Sequence, residues 1–308
     1  MENGSFTDGH DDDYTDHELQ GQAIIELNGR NRFDLQAGYI KEHEDRGTGV
    51  DDQSGGGVST PIEYSEFNLQ GLYTYGASGA KGNLELNAAY YDREYDNFRT
   101  LTEARDRETI RLGATFLYRL APKSQALFEL RHEDIDYQSA TSTQDSTEQK
   151  YLVGLRWDAT AKTSGSAKIG AARKDFDSPA TEDFSGASWE VSVRWAPQTY
   201  SSFDLTTTQE TEESSGTGDY IDTESLTLAW NHEWSGRVSS VASISRIEED
   251  YVGATREDET NSLSLALSYE MRRWLDINFA YTYGERDSNE VGNDYERNQW
   301  MITLLGSL

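Results

Sequence analysis

The stretch Leu275-Asp276-Ile277-Asn278-Phe279-Ala280-Tyr281-Thr282-Tyr283 decides the fold class. Large apolar side chains alternate in it with polar or small ones. A period of two places Leu275, Ile277, Phe279, Tyr281 and Tyr283 on one face of an extended strand, where a helix would scatter them. The flanking segments repeat the pattern, with Trp300, Ile302, Leu304, Gly306 and Leu308 after it and Leu263, Leu265, Leu267, Tyr269 and Met271 before it. Further upstream it returns in Leu226, Leu228, Trp230 and Trp234, in Trp189, Val191, Val193 and Trp195, and in Tyr151, Val153, Leu155 and Trp157. Ile110–Tyr118, Leu84–Tyr90, Phe67–Tyr75, Phe33–Tyr39 and Leu19–Leu27 complete the regular set. Less regular alternation adds strands around Phe128, around Ile169, over Phe203–Thr208 and over Val238–Ile247. The sum is about 15 strands, each long enough for the roughly 9–11 residues that cross a bilayer.

The connections alternate too. Tight ones fall at Asn28–Asn31, Ser78–Gly82, Pro122–Ser124, Lys162–Gly165, Pro197–Thr199, Ser235–Arg237 and Arg272–Arg273. Long acidic ones fall between them, at Glu42–Pro61, Asp92–Glu108, Glu133–Gln149, Lys174–Ser185, Gln209–Thr223, Glu248–Asn261 and Glu285–Asn298. Short turns at one end and long polar loops at the other describe an antiparallel up-and-down transmembrane β-barrel. The competing all-β architectures are a large soluble sandwich and an extended fibre.

Composition narrows the classes further. The 308 residues carry 56 acidic and 27 basic side chains, a formal charge of −29, which opposes nucleic-acid binding. No run approaches the roughly 18 apolar residues of a spanning helix. The absence of Cys removes disulfides, thiolate metal sites and thiol nucleophiles. A mean hydropathy of −0.79 suggests disorder, but 18 Tyr, 10 Phe and 7 Trp with only 4 Pro argue for a folded chain.

The face opposite the apolar one is wet. Glu66, Glu85, Arg111, Arg119, Glu129, Arg131, Arg156, Glu190 and Arg194 occupy it and are expected to line a polar lumen, with Tyr91 as a lone ring for stacking on a sugar. Tyr39, Tyr75, Tyr118, Trp157, Trp195, Trp234 and Trp274 gather toward strand ends, as expected of aromatics at a membrane interface. Residues 1–16 read as one more acidic external loop, and residues 17–308 as the barrel. Counting strands back from Leu308 brings the first one down into the Asn28–Asn31 turn, so the count is odd. No positively charged n-region or apolar signal precedes it. The expectation is an N-terminally incomplete barrel of 16–18 strands when whole, whose first and last strands meet as a parallel pair or leave an open seam.

Two blocks carry a family resemblance. Asp13-Tyr14-Thr15-Asp16-His17, an alternating strand, an Asn-Gly turn and a strand ending in Glu42-His43-Glu44-Asp45-Arg46-Gly47 form the first. Tyr281-Thr282-Tyr283, Arg286-Asp287-Ser288-Asn289 and Asp294-Tyr295-Glu296-Arg297-Asn298 before a final apolar strand form the second. The chain resembles the type-2 β-barrel porin family of Gram-negative bacteria, exopolysaccharide-associated outer-membrane β-barrels, over essentially its whole length. The resemblance implies a place in the Gram-negative outer membrane, against its lipids and lipopolysaccharide. It also implies a passage for exopolysaccharide or capsule polymer, with periplasmic polysaccharide-export components as partners. It brings no catalytic residues and no cofactor. The terminal Leu308 departs from the Phe or Trp that often ends such barrels.

Catalysis and metal binding find little support. His10, His17, His43, His132 and His232 lie in external segments or near strand ends, and no GxSxG, HExxH or Walker pattern occurs. Asp11-Asp12-Asp13 with Asp16, and Asp51-Asp52, offer hard oxygens to Ca²⁺ but lack the EF-hand spacing, and a solvated loop surface is the simpler reading. Gly47-Thr48-Gly49 and Gly55-Gly56-Gly57 read as loop flexibility rather than a phosphate cradle. The functional readings are therefore a polysaccharide passage, a general diffusion porin for small solutes, and a structural or adhesive surface barrel with a plugged lumen.

Overall fold

A computed structural model describes residues 2–4, 12–46, 49–53, 57–77, 79–160, 162–214 and 217–306. One antiparallel sheet holds every strand in chain order, each hydrogen-bonded to its sequence neighbours. A three-residue strand β1 (Glu2–Gly4) leads into β2 (Tyr14–Asn28), β3 (Asn31–Glu44), β4 (Ile62–Tyr75), β5 (Gly82–Tyr95) and β6 (Arg107–Ala121). Then come β7 (Ser124–Tyr137), β8 (Ser146–Thr160), β9 (Thr163–Phe176), β10 (Phe184–Gln198) and β11 (Ser201–Glu213). β12 (Tyr220–Ser235), β13 (Val238–Val252), β14 (Glu257–Arg272), β15 (Leu275–Ser288) and β16 (Tyr295–Gly306) complete the sheet. The fifteen long strands, β2–β16, match the number read from the alternation, and the four less regular segments are β7, β9, β11 and β13. Among the described residues α-helix is confined to single turns in two loops, α1 (Gly49–Gln53) and α2 (Arg99–Thr102), the second continuing as a 3-10 turn over Glu103–Arg105.

The sheet is inside out by the standard of a soluble protein. Leu19, Leu130, Ile169, Trp300 and Ile302 are each more than half exposed, and Leu265 and Leu267 nearly so. Among the described residues no second sheet covers them. A surface of this extent is stable only in a nonpolar solvent, so the convex face belongs in lipid. The closed core between two sheets required by the sandwich reading is not there.

Two expectations need correction, and a third is decided between its two alternatives. The long loops are shorter than the sequence suggested, because the strands continue past the apolar band. β3 runs to Glu44, β5 to Tyr95, β9 to Phe176, β13 to Val252 and β15 to Ser288. In these extensions acids face acids across strands, as in Glu224↔Glu248↔Glu259↔Asp287. Such pairing is costly, and Arg246 offsets it by bridging Glu248 at 2.5 Å and Glu259 at 2.9 Å. Residues 1–16 are not wholly loop either. β2 starts at Tyr14, and β1 pairs with its first turnward residues as Glu2↔Asp16 and Gly4↔Tyr14.

Closure is the third point. Among the described residues no ladder joins β16 to β1 or β2, so the parallel closing pair is not formed and the seam is open. The sheet nevertheless curls almost back on itself. Arg297 on β16 reaches Asp45, just beyond β3, at 3.9 Å.

Candidate functional site

The curl gives the sheet a concave face, and long-range side-chain contacts identify it. A contact that skips intervening strands can form only inside the curve. Arg131 on β7 pairs with Glu190 on β10, its Nη2 donating to Oε2 at 2.9 Å. Arg156 on β8 donates to both Glu85 oxygens on β5, at 2.9 and 3.2 Å. Lys168 on β9 joins Glu129 on β7 at 3.2 Å and also binds Glu190. Glu129 further accepts from Arg131. Two clusters thus cross the interior, Glu85 with Arg156, and Glu129 and Glu190 with Arg131 and Lys168.

The remaining charged candidates make shorter-range contacts. Arg111 donates to Glu133 at 2.7 Å and lies 4.9 Å from the centre of the Tyr91 ring. Glu66 accepts from Arg93 at 2.9 Å. Arg194 donates to Ser202 at 2.9 Å and approaches Asp204 at 3.7 Å. Arg119 turns to the short-turn rim, donating to the carbonyls of Ala80 and Pro122 at 3.0 and 2.9 Å.

Backbone curvature makes these reaches possible. Gly154 and Gly170 sit on the same face of β8 and β9. A Cβ there would fall 2.0 Å from the Ala167 carbonyl oxygen and 1.8 Å from that of Tyr151. No side chain fits where the two strands coil this tightly.

From β10 onward the concave face changes character. Ser192, Thr206, Thr227, Ser245 and Ser262 stand opposite one another in one row across five strands. Hydroxyls pair along this wall, Thr208 with Ser225 at 2.7 Å and Ser245 with Ser262 at 2.6 Å. These residues were legible as the small partners in each strand's alternation, but a search for charges passes over them.

The upper end of the β11–β12 hairpin turns into the interior. β11 pairs with β10 only as far as Gln209, yet stays paired with β12 up to Glu213. Freed from β10, it reaches strands that are not its neighbours. Glu213 takes Lys174 of β9 and the Tyr137 hydroxyl of β7, and Thr211 donates to Glu148 of β8 at 2.8 Å. Lys174 is fully buried. An open cavity of about 640 Å³ lies between this hairpin end and the β5–β8 wall, lined by Arg93, Arg107, Arg111, Arg131, Glu210 and Glu212 among others. Arg93, Arg107, Lys174 and Glu213 escaped the sequence reading because all four fell in segments taken as loops.

At the long-loop end, Val50, Ile62 and Tyr95 are buried together under the loops that carry α1 and α2, with Phe98 and Leu101 against them. Arg99 donates to Asp106 at 2.9 and 2.5 Å, and these hydrogen bonds hold its pKa above the ordinary guanidinium value. Three of the carboxylates considered for Ca²⁺ are engaged by protein. Asp12 accepts from Arg46, whose hydrogen bond holds its pKa down, Asp16 accepts from His43 at 2.9 Å, and Asp51 accepts from the Val58 amide at 3.2 Å. Asp11 lies outside the described residues.

The aromatics expected at the membrane interface fall into two groups. Tyr75, Tyr118, Trp157, Trp195 and Trp234 lie at the short-turn ends of β4, β6, β8, β10 and β12, and Trp274 in the β14–β15 turn continues the belt. Tyr39, also expected toward a strand end, lies on the long-loop half of β3, opposite Leu19 and Phe67.

Solved structures share the architecture. The FrpB iron transporter from Neisseria meningitidis (F3-3 variant) superposes with a TM-score of 0.58 at 11% identity, over 94% of this chain and 57% of that one. The alcaligin outer-membrane receptor FauA from Bordetella pertussis gives 0.51 at 10% identity, over 94% and 56%. The copper transporter OprC gives 0.52 at 10%, over 94% and 56%. The chain therefore spans little more than half the length of these proteins, and at such identity the likeness concerns the fold alone. No curated protein matches the chain in sequence. The family model described as Putative beta-barrel porin 2 matches residues 3–306, and the chain belongs to that family of outer-membrane barrels.

Proposed function

We propose that the chain walls a water-filled passage across the Gram-negative outer membrane, and that its cargo is a hydrated polymer, a secreted exopolysaccharide or capsule chain. The observation that carries this reading is the hydroxyl row Ser192–Thr206–Thr227–Ser245–Ser262. Short hydroxyls exchange hydrogen bonds with water and sugars at little net gain. A polymer can slide along them without being held. Opposite them, the charged wall pairs most of its ions internally, which lowers its grip on a passing chain. Glu66, Glu85, Arg111, Arg119, Glu129, Arg131, Arg156, Glu190 and Arg194 serve in this reading as lumen lining, and the aromatic belt anchors the barrel in the membrane.

A general diffusion porin for small solutes is the second reading, favoured by the inturned β11–β12 end, which narrows the interior. Single-channel recording with neutral linear oligosaccharides of increasing length separates the two. Blockades that lengthen with chain length, together with periplasmic retention of polymer in a deletion strain, support the polymer passage. Permeation of monosaccharides with no entry of longer chains would replace it with the porin.

A further inference from the structure

We propose that Arg107 anchors a binding site for a single carboxylate group inside the passage. The setting is a cross-strand row, Glu66 on β4, Arg93 on β5, Arg107 on β6 and Tyr137 on β7. Two guanidinium groups stand directly opposite each other in it, an arrangement that destabilises the sheet unless counter-charge is supplied. Arg93 has Glu66 at 2.7 Å. Its neighbour Arg111 has Glu133, and Lys174 has Glu213. Each of these three cations is thus matched by its own carboxylate, whereas for Arg107 no carboxylate among the described residues lies within ion-pairing distance.

The contact Arg107 does make shapes what it can bind. Its guanidinium lies 5.9 Å from the centre of the Tyr137 ring. A ring face satisfies the cation without using its N–H groups, so the fork remains available to a planar acceptor. It opens on a recess of about 180 Å³ that Tyr91, Thr109 and Arg111 also line, together with Glu66, Glu133 and Glu213, each already paired with its own cation. One unmatched charge suits a monoanion. Glu210 and Glu212, on the wall of the wider cavity, repel any anion, and a multiply charged one more strongly than a monoanion. A ring face and a hydroxyl beside the carboxylate position suit a sugar acid. The assignment of a uronate-bearing polymer as cargo rests on the passage reading above, whereas the carboxylate site itself does not.

Equilibrium binding to the detergent-folded chain, read by saturation-transfer NMR, tests the site without any conduction. The probes are sodium glucuronate, sodium acetate and glucose. Glucuronate is expected to bind and glucose not. Arg107→Gln should weaken glucuronate about tenfold or more, the loss of one charge-assisted hydrogen-bonding group. Arg107→Lys should recover part of it, and Arg237→Gln, in the short β12–β13 turn, should bind as the wild type does. Acetate binding as well as glucuronate would support a site for the carboxylate alone. Glucuronate binding without acetate would support a sugar-acid site. Equal binding of glucose and glucuronate, or an Arg107→Gln variant that folds and binds as the wild type does, would overturn the proposal. Binding in a protein that forms no channel would keep the site and remove the passage.

Discussion

The concave wall over β5–β10 and the wall over β11–β15 are built from opposite materials. The first is long side chains tied across strands, as in Arg156–Glu85 and Arg131–Glu190. The second, below the inturned end of β11, is hydroxyls paired with the next strand, as in Ser245–Ser262. Long pairs brace a surface and fill the space above it. Short ones leave that space to water. The contrast teaches that the charged wall is braced across several strands, whereas the Ser/Thr wall is tied only between neighbours. The two meet where the end of β11 leaves β10 and docks on Lys174.

That junction should respond most strongly to change. Lys174→Met leaves the Glu213 carboxylate without its cation in a site where Lys174 is fully buried, and is expected to cost about 3–5 kcal/mol. Urea unfolding in detergent reads this loss, and the double variant with Glu213→Gln should recover much of it. A Lys174→Met variant as stable as the wild type would mean that the hairpin end is not held by this pair.

The convex face comes next. Leu265→Arg should cost about 2–4 kcal/mol if residue 265 lies near the bilayer midplane, measured by unfolding from lipid vesicles. Ser264→Arg, one residue away on the hydroxyl wall, should cost far less. Equal losses would remove the distinction between the faces. Within the interior, Ser245→Ala gives up one hydroxyl pair and should cost about 1 kcal/mol by the same measurement. The smallest effect is expected on the charged wall. Glu85 and Arg156 remain partly open to solvent, so Glu85→Gln should change stability by about 0–1 kcal/mol. A loss of several kcal/mol there would show that the pair is shielded from water.

The alternation of Leu263, Leu265 and Leu267 with Ser262, Ser264 and Ala266 made strand number, direction and face legible in the sequence. Even β9 was legible, although Ala167, Ile169 and Ala171 are modest as an apolar series. What the pattern records, however, is contact with lipid rather than the strand itself. Where lipid ends, apolar residues end and the hydrogen-bond ladder goes on. Arg93, Arg107, Lys174 and Glu213 all lie in that upper zone, so the inturned hairpin and the unmatched guanidinium were out of reach. Pairs such as Arg131–Glu190 were equally hidden. They depend on how far the sheet curls, and alternation along single strands carries no information about that.

The claim on which everything else rests is that successive residues of one strand face water and lipid in turn. A chain without Cys allows a direct measurement. Single cysteines placed one at a time from Ser262 to Leu267 on β14, in protein folded into vesicles, are exposed to a water-soluble maleimide. In parallel, an environment-sensitive thiol fluorophore on each is quenched by nitroxide lipids. The account predicts maleimide labelling at positions 262, 264 and 266 and lipid quenching at 263, 265 and 267. Uniform labelling along the strand, or quenching at the serine positions instead of the leucines, would contradict it.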